Sequence, residues 1–234
     1  MKDQTQTYVI LSEQTWNKNI VNNLSIIQKK INWILIDKQE DFNLDYLDAI
    51  KADIIFIPHW SYLIPKEIYE KFECIVFHMT DLPFGRGGSP LQNLISRGIY
   101  STKISALKVD EGIDSGDIYL KENLELKGNA TEIFNRANQI IQKMIISIIQ
   151  KKIEPSPQKG KVTEFKRRKP HESNIEKLET LSKVYDYIRM LDADGYPKAY
   201  LENKFFKFEF NDANFKNKNE IIATVKIKMK NDEK

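Results

Sequence analysis

His78 directly follows a short apolar run and lies where an imidazole could do chemistry. The run CIVF, residues 74–77, has the composition of a buried strand, and a polar, glycine-rich segment begins after it. In open α/β sheets, ligands bind in the crevice beyond the carboxyl ends of the strands. A histidine at such an end can accept and return a proton. We therefore interpret His78 as a candidate catalytic residue.

An acidic loop lies thirty-six residues further along the chain. The apolar stretch 104–109 leads into the run DEGIDSGD, in which Asp114 stands between Gly112 and Gly116. Glycines on both sides allow the sharp turn that this loop needs. If the two strands are neighbours, their ends bring the imidazole and a carboxylate to one edge of the sheet. This pair is the minimum needed to move a proton on and off a nucleophilic amine.

Aromatic residues follow another strand of the predicted sheet. Trp60 and Tyr62 come after the apolar segment 53–57, which we expect to end at Pro58. They could face a flat aromatic ligand or pack against the next helix. Both interpretations remain open from the sequence.

Two segments are candidates for binding an anion. The backbone of the run GRGGS, residues 85–89, could hold a phosphate at the start of a helix for which Ser89 is the predicted N-cap. The basic run FKRRKP adds Arg167 and Arg168, whose guanidinium groups suit bidentate phosphate contacts. A solvated charged surface is the alternative.

The order of the predicted elements indicates an α/β fold. Apolar segments 8–11, 33–36 and 53–57 alternate with helical patterns, which is typical of a Rossmann-like, mainly parallel sheet. No glycine-rich loop follows the first strand, which argues against a dinucleotide site. The strongest helical pattern follows Asn129 and Glu132, a predicted capping pair.

A connector rich in proline and charge separates the predicted catalytic domain, residues 1–170, from a small C-terminal subdomain, residues 171–234. The subdomain is predicted to contain a helix over 181–191 and then an antiparallel hairpin, because apolar and charged residues alternate in 206–210 and 225–229. Two strands alone bury too little apolar surface. We therefore expect this face to pack on the preceding helix or on a second subunit, and we predict a homodimer through the C-terminal region.

The composition favours a cytoplasmic protein that binds neither a membrane nor a metal. No apolar run approaches the ~18 residues of a membrane span, and the N-terminus lacks an apolar signal region. The single cysteine, Cys74, excludes a disulfide framework and a cysteine-based metal cluster. Residues 151–234 contain 20 Lys and Arg against 14 Asp and Glu, a net charge of +6, and the preceding residues carry −3. This asymmetry suggests a phosphate-bearing partner, with a solvated surface as the alternative.

The two chemical segments together resemble the formyltransferases that use 10-formyltetrahydrofolate. HMTDLPFGRGGSPLQNLI followed by VDEGIDSGDIY is similar to the paired signature of that family, and the resemblance covers roughly residues 1–170. It implies that His78 is the catalytic histidine, that Asp114 orients it, and that an amine attacks the formyl carbon. Most members have an Asn where this chain has Val76, and the Asn amide supports the oxyanion. We expect protonated His78 or a backbone amide in 85–88 to substitute for it.

The resemblance also implies where the substrates bind. We expect the pterin of the folate at Trp60, Ser61, Tyr62, Leu63, Asp110, Glu111, Gly112 and Ile113. We expect the acceptor at Phe84, Gly85, Arg86, Gly87, Gly88, Ser89, Arg167 and Arg168.

The segments outside this core favour a nucleotide-sugar N-formyltransferase of glycan biosynthesis. A methionyl-tRNA formyltransferase is expected to continue into a larger basic barrel, for which the 64 residues after Pro170 are short. The segments FKRRKPHES and YDYIRMLDADGYPKAYLEN resemble those of the sugar enzymes. The sequence around His78 resembles that of the enzymes in the pseudaminic-acid pathway, whose acceptor is a UDP-linked 4-amino-4,6-dideoxy sugar. The expected partners are thus a nucleotide sugar and folate, without nucleic acid. The alternatives are a methionyl-tRNA formyltransferase-like enzyme and a homologue that binds folate or nucleotide sugar but has lost catalysis.

Overall fold

The computed structural model describes residues 5–14, 17 and 19–230, and strands alternate with helices through its first half. The elements, in chain order, are β1 (Thr7–Ser12), α1 (Ile20–Ile27), β2 (Asn32–Ile36), α2 (Leu44–Ala49), β3 (Ile54–His59), α3 (Lys66–Tyr69), β4 (Glu73–His78), β5 (Arg86–Gly87), α4 (Pro90–Ile95), β6 (Ser101–Lys108), β7 (Ile118–Glu125), α5 (Ala130–Lys151), β8 (Glu164–Phe165), α6 (Leu181–Arg189), β9 (Ala199–Glu202), β10 (Phe206–Asn217) and β11 (Glu220–Met229).

Six strands form the main sheet, in the order β2-β1-β3-β4-β6-β7. The first four strands in this order pair in parallel, and Val9 of β1 lies between Ile34 of β2 and Ile55 of β3. Every residue of β1 is buried. Strands of a parallel sheet are covered on both faces, which explains why these segments are continuous apolar runs. The expected α/β architecture with a mainly parallel sheet is confirmed.

Local signals explain where two helices begin. The side chain of Asn129 accepts a hydrogen bond from the backbone N–H of Glu132 at 3.0 Å, and Glu132 accepts one from the N–H of Asn129 at 2.9 Å. This reciprocal pair starts α5, as predicted. Helix α4 begins at Pro90 with Ser89 as its N-cap residue, as predicted, but Ser89 makes no side-chain cap and adopts φ +52°. Its hydroxyl instead accepts a hydrogen bond from the N–H of Arg168 at 3.1 Å.

Strand β3 extends further than the sequence indicated, because the sheet accommodates Pro58. We expected the strand to end there, but Pro58 and His59 both belong to β3. The pairing with β1 shifts at this point, since Ile10 lies opposite Phe56 and Ser12 lies opposite His59. Such a bulge leaves one residue without a ladder hydrogen bond, a position that proline tolerates.

The C-terminal part of the chain forms a second sheet of three strands, in the order β11-β10-β9. The predicted hairpin is confirmed, with Phe208 of β10 opposite Ile227 of β11. The sequence analysis missed β9 because four residues are too few to show an alternating pattern. Helix α6 packs on this sheet, where the rings of Tyr185 and Phe215 lie 5.0 Å apart. The far end of the apolar face is exposed at Ile227 and Met229, and the homodimer through this region stays a prediction.

The chain forms two compact units that do not follow chain order. The first unit comprises Met1–Arg86, Lys103–Leu124 and Asn135–Glu164. The second unit comprises Gly87–Thr102, Glu125–Phe134 and Phe165–Lys234. The predicted C-terminal subdomain is thus one part of a larger second unit, and the candidate catalytic pair lies in the first.

The described part of the chain holds neither a membrane-spanning helix nor a metal-binding cluster. None of its helices has both the length and the apolar character to cross a membrane. None of its clusters of His, Cys, Asp and Glu side chains is suited to hold a metal ion.

Candidate active site

His78 lies at the end of β4, and both of its ring nitrogens face oxygen atoms. Nε2 donates a hydrogen bond to the carbonyl oxygen of Gly85 at 2.8 Å, since a carbonyl can only accept. Nδ1 lies 3.4 Å from Oδ2 of Asp114. The two side chains are only 8% and 15% exposed. The structure therefore brings the predicted pair together in an enclosed place, with the imidazole held at both edges.

A buried hydroxyl network supports the segment that follows His78. Oγ1 of Thr80 donates to the Gly85 carbonyl at 3.3 Å. Oγ of Ser105 donates to the Thr80 carbonyl at 2.7 Å and accepts from the N–H of Leu82 at 3.3 Å. The Gly85 carbonyl therefore has two donors. When Nε2 of His78 turns to a substrate, Thr80 still satisfies this carbonyl.

Asp114 reaches His78 by a different path from the one that we expected. Strand β6 is the neighbour of β4, but the two are antiparallel, and the last residue of β6, Lys108, lies opposite Ile75. The loop after β6 therefore begins away from His78 and must turn back. Asp114 has φ +51° in this turn, a conformation that is uncommon outside glycine but more accessible to Asp. Loop geometry, rather than two coincident strand ends, places the carboxylate.

Asp110, one of the predicted folate contacts, closes this loop. Its Oδ1 accepts from Oγ of Ser115 at 2.6 Å and from the N–H of Gly112 at 3.1 Å. An Asp side chain that bonds its own backbone in this way shapes a turn. Two other predicted folate contacts, Glu111 and Ile113, are exposed beside it.

Trp60 packs against two aromatic rings and retains an unused donor. Its ring lies 5.9 Å from the ring of Phe42 and 5.4 Å from that of Tyr62, so the packing interpretation holds for the ring. Its Nε1 is buried and has no hydrogen-bond partner among the described residues. The neighbouring Ser61 donates a hydrogen bond to Glu13.

The two segments predicted to bind folate pack on one apolar cluster. Trp60 and Val109, which opens the acidic loop, both contact the buried residues around Ile57. Apolar side chains of both segments face solvent, since Leu63 is 81% exposed and Ile113 is 64% exposed. Exposed apolar groups beside a buried, unpaired donor suit a flat heterocycle with polar edges.

Charged groups flank the chain between His78 and the glycine-rich run. Asp81 accepts from Nζ of Lys121 at 2.6 Å and lies 3.0 Å from Nζ of Lys103. Burial opposes ionisation of this carboxyl, but the two ammonium groups outweigh it and lower the pKa of Asp81. Lys121 also donates to the Leu82 carbonyl, so it fixes this segment from the side of β7.

The glycine-rich run does not offer its amides to an anion as we expected. The N–H groups of Gly85 and Arg86 both donate to the carbonyl of Thr163 at 2.9 Å. In the second unit, the N–H of Gly88 donates to the carbonyl of Phe165 at 3.1 Å. Amides that are engaged in this way do not bind a phosphate, so the expectation is corrected for these three. The other members of the run are half-buried: Phe84, Gly87 and Ser89.

The three predicted arginines differ in their surroundings. Arg86 donates to Oε1 of Gln158 from Nη2 at 2.8 Å and from Nε at 3.3 Å. In the second unit, the guanidinium of Arg168 lies 5.2 Å from the ring centre of Tyr187. Arg167 is exposed. A phosphate contact is therefore most accessible at Arg167.

Val76 provides no donor for an oxyanion. It is half-buried and packs against two apolar clusters, in keeping with its chemistry. The amides of Gly85, Arg86 and Gly88, which belong to the segment 85–88 expected to substitute, donate to backbone carbonyls. Which group replaces the Asn stays a prediction.

The sequence analysis missed Gln158. Its Nε2 donates to the carbonyls of Asp114 and Gly116, each at 2.8 Å. It lies in the segment that we interpreted as a connector, where nearby prolines and a glycine indicate only turns. Nothing in the composition of such a segment distinguishes a glutamine that holds an active-site loop from one that faces water.

Comparison with protein families gives two matching regions. The model described as Formyl transferase matches residues 15–149. The model described as Methionyl-tRNA formyltransferase, C-terminal domain, matches residues 170–228. The first match covers more than half of the chain and includes both His78 and Asp114.

Individual proteins match over different lengths. A methionyl-tRNA formyltransferase from Rickettsia typhi is 33% identical over 115 residues, which are 47% of this chain and 38% of that relative. The match thus spans well under half of the curated relative. The solved structure of a methionyl-tRNA formyltransferase from Clostridium thermocellum is 47% identical, with a TM-score of 0.93, and the match covers 96% of this chain and all of that one.

A sugar N-formyltransferase shares the fold at lower identity. The structure from a Shewanella species has a TM-score of 0.67 and 14% identity, over 86% of this chain and 94% of that one. A likeness at this identity supports the fold alone. With a family model matched over more than half of its length and a 47% identical relative matched end to end, the chain belongs to the formyltransferase family.

Proposed function

We propose that this protein transfers the formyl group of 10-formyltetrahydrofolate to the amino group of methionyl-tRNA. The observation that carries the chemistry is the 3.4 Å approach of His78 Nδ1 to Asp114 Oδ2 in a member of the formyltransferase family. The acceptor rests on similarity to enzymes named for methionyl-tRNA, one of them matched over its whole length. This acceptor was our alternative, and it replaces the amino sugar because the supporting relatives are much more similar in sequence.

His78 is the group that moves protons in this proposal. The folate co-substrate supplies the formyl carbon and leaves as tetrahydrofolate when the bond to its nitrogen breaks. In the neutral tautomer that carries its hydrogen on Nδ1, facing Asp114, Nε2 turns from the Gly85 carbonyl and takes the proton that the attacking amine loses. It then returns a proton to the leaving nitrogen, so the imidazole ends as it began. Asp114 orients the ring. General acid–base catalysis of this kind contributes ~100- to 10,000-fold.

The cationic form of His78 has a second role in this account. After it has taken a proton, its Nε2–H can donate to the oxygen that becomes negative as the amine adds. In the structure this N–H donates to the Gly85 carbonyl, which also accepts from Thr80. Because Thr80 still donates to the Gly85 carbonyl, the imidazole can move away without leaving this buried acceptor unpaired.

The surroundings of Trp60 fit a pterin. Its buried Nε1 is a donor without a partner in the described part of the chain, and a heterocycle with carbonyl and ring nitrogen acceptors would satisfy it. The exposed side chains of Leu63 and Ile113 would be covered at the same time. We expect these residues to hold and orient the co-substrate, and not to take part in proton transfer.

A nucleotide-linked amino sugar is the second candidate acceptor. One observation favours it: the side chain of Arg167 is exposed. A single diphosphate would need few cationic contacts, and exposed Arg167 could supply one.

A competition experiment tests the acceptor. Purified protein is incubated with 10-formyltetrahydrofolate, methionyl-tRNA and a panel of UDP- and dTDP-linked amino sugars, and every product is read by mass for the gain of one formyl group. We expect formyl-methionyl-tRNA and no formylated sugar. A formylated sugar without formylated tRNA would overturn the acceptor and keep the chemistry, whereas formylation of neither would count against the chemistry.

A further inference from the structure

We propose that Gln158 is a positioning residue that holds the Asp114 loop against His78. The inference rests on the proposed formyl transfer for its effect on turnover, but its structural basis lies in contacts that do not depend on that function. Gln158 touches neither reacting group. It acts through the backbone on either side of the catalytic carboxylate.

The amide of Gln158 joins two carbonyls of the loop. Nε2 carries two N–H donors, and these reach the carbonyls of Asp114 and Gly116, each at 2.8 Å. Both distances are within the ideal range for N–H···O hydrogen bonds. The residue is half-buried, so these bonds compete less with water than those of an exposed side chain.

Arg86 fixes which way this amide points. Its Nη2 and Nε both donate to Oε1 of Gln158, at 2.8 Å and 3.3 Å. Because a guanidinium has only donors, the amide oxygen must face Arg86 and the amide nitrogen must face the loop. Arg86, which we first expected to bind a phosphate, thus contributes to the orientation of the clamp.

The loop needs a contact of this kind because strand β6, which precedes it, does not end near His78. The end of β6 lies opposite Ile75, so the chain must turn back to reach His78. Asp114 also has φ +51°, which is less stable for residues other than glycine unless surrounding contacts hold it. Asp110 closes the first half of the loop. Gln158 secures its second half from outside the loop, through the carbonyls of Asp114 and Gly116.

The first test separates the two halves of the Gln158 amide. Gln158→Leu keeps most of the side-chain volume and removes every hydrogen bond. Gln158→Glu keeps an acceptor for Arg86 but places an oxygen against the two loop carbonyls. We expect both variants to lower kcat at least about tenfold, with the KM of the acceptor little changed, because a misplacement of ~1 Å can cost ~100-fold. If Gln158 served only to anchor Arg86, Gln158→Glu would keep wild-type kcat, and that result would overturn the proposal.

The second test asks whether Gln158 acts through Asp114. In the Asp114→Asn background, Gln158→Leu should lower kcat less than about threefold, because the carboxylate that it positions is already absent. A full, additive loss in the double variant would indicate a general structural defect. Gln142→Leu is the control, because Gln142 is also half-buried in the first unit and bonds only residues away from the site. It should keep wild-type kcat.

The third measurement does not need an active enzyme. Hydrogen exchange of the amides in 110–117 should be at least about tenfold faster in Gln158→Leu than in wild type, with unchanged exchange in β1. The protein has three histidines, so the imidazole nitrogen signals of His78 can be assigned by substitution, and Gln158→Leu should move them towards their positions in Asp114→Asn. If the wild-type protein formylates nothing, the proposed function fails while these readouts still decide the role of Gln158. Unchanged exchange and unchanged His78 signals would refute it.

Discussion

Each edge of the His78 imidazole is constrained by a different part of the chain. Gly85, seven residues later, accepts from Nε2, and Asp114 faces Nδ1 from a loop that belongs to another strand. The buried hydroxyls of Thr80 and Ser105 hold the backbone in between. The imidazole of His78, the candidate proton-transfer group, is therefore held in orientation from both sides.

Val76 allows a test of the oxyanion donor. If cationic His78 already supplies this donor, Val76→Asn should change kcat by less than about tenfold, although an added oxyanion donor can contribute ~3 kcal/mol where one is missing. The substitution should also lower the free energy of unfolding by ~1–3 kcal/mol, because it places an amide among apolar side chains. Steady-state kinetics and urea unfolding measure both effects, with Val76→Leu as the control that adds no hydrogen-bond donor. A rise in kcat of ~100-fold or more would show that the donor is absent from the wild-type site.

The candidate catalytic pair could be predicted from the sequence, but the residue that we propose to position it could not. His78 and Asp114 carry a recognisable pattern because residue type and spacing are both constrained by the chemistry. Gln158 acts with an amide on backbone carbonyls, and its partners lie more than forty residues away. No local pattern records such a contact. The amides of Gly85 and Arg86 were wrongly predicted to bind an anion for the same reason. Their hydrogen bonds to the Thr163 carbonyl exist only in the folded chain.

Strand β3 ends in His59, whose protonation is linked to the stability of the fold. Burial lowers the pKa of His59 from 6.5 to about 4. The unfolded chain therefore binds a proton more readily than the folded one between these values, so stability is complete above the unfolded pKa and falls as the pH drops towards about 4. This strand leads directly into the segment of Trp60, so its stability matters for the proposed folate site.

We expect the free energy of unfolding to fall as the pH drops, because His59 is protonated more readily in the unfolded chain. Between about pH 7 and about pH 5, the wild-type protein should lose ~1–2 kcal/mol more unfolding free energy than His59→Gln, which cannot take up this proton. Urea unfolding at both pH values measures the difference. His171→Gln is the control, because His171 is exposed and should behave like wild type. Equal pH dependence in wild type and His59→Gln would contradict the assignment.

The elements were predictable where periodicity or capping is local. The parallel strands, the capping pair before α5 and the C-terminal hairpin all follow from patterns within a few residues. Strand direction is not local. The apolar pattern of β6 is compatible with either parallel or antiparallel pairing. Its antiparallel pairing with β4 is decided by the path of the chain through residues 79–100. Pro58 was misread because a bulge in its own strand, β3, removes the penalty for a proline.

At the scale of the whole molecule, charge is distributed in a way that suits a nucleic-acid acceptor. Residues 151–234 carry a net charge of +6 and the preceding residues carry −3. Phosphate contacts dominate the affinity of proteins for nucleic acids and release counterions, so binding of a tRNA should weaken steeply with salt. A nucleotide sugar with one diphosphate would show a shallow dependence. The charge of the chain thus agrees with methionyl-tRNA, which we had set second on the sequence alone.

The role of His78 in formyl transfer to an amine can be tested by comparing initial rates of transfer. The initial rate at which labelled formyl groups pass from 10-formyltetrahydrofolate to methionyl-tRNA is compared for the wild-type protein and His78→Asn, both shown to be folded by their thermal unfolding. We predict transfer by the wild-type protein and a rate ~100- to 10,000-fold lower for the variant. No transfer by the wild-type protein, or a His78→Asn rate above about a third of the wild-type rate, would contradict the account.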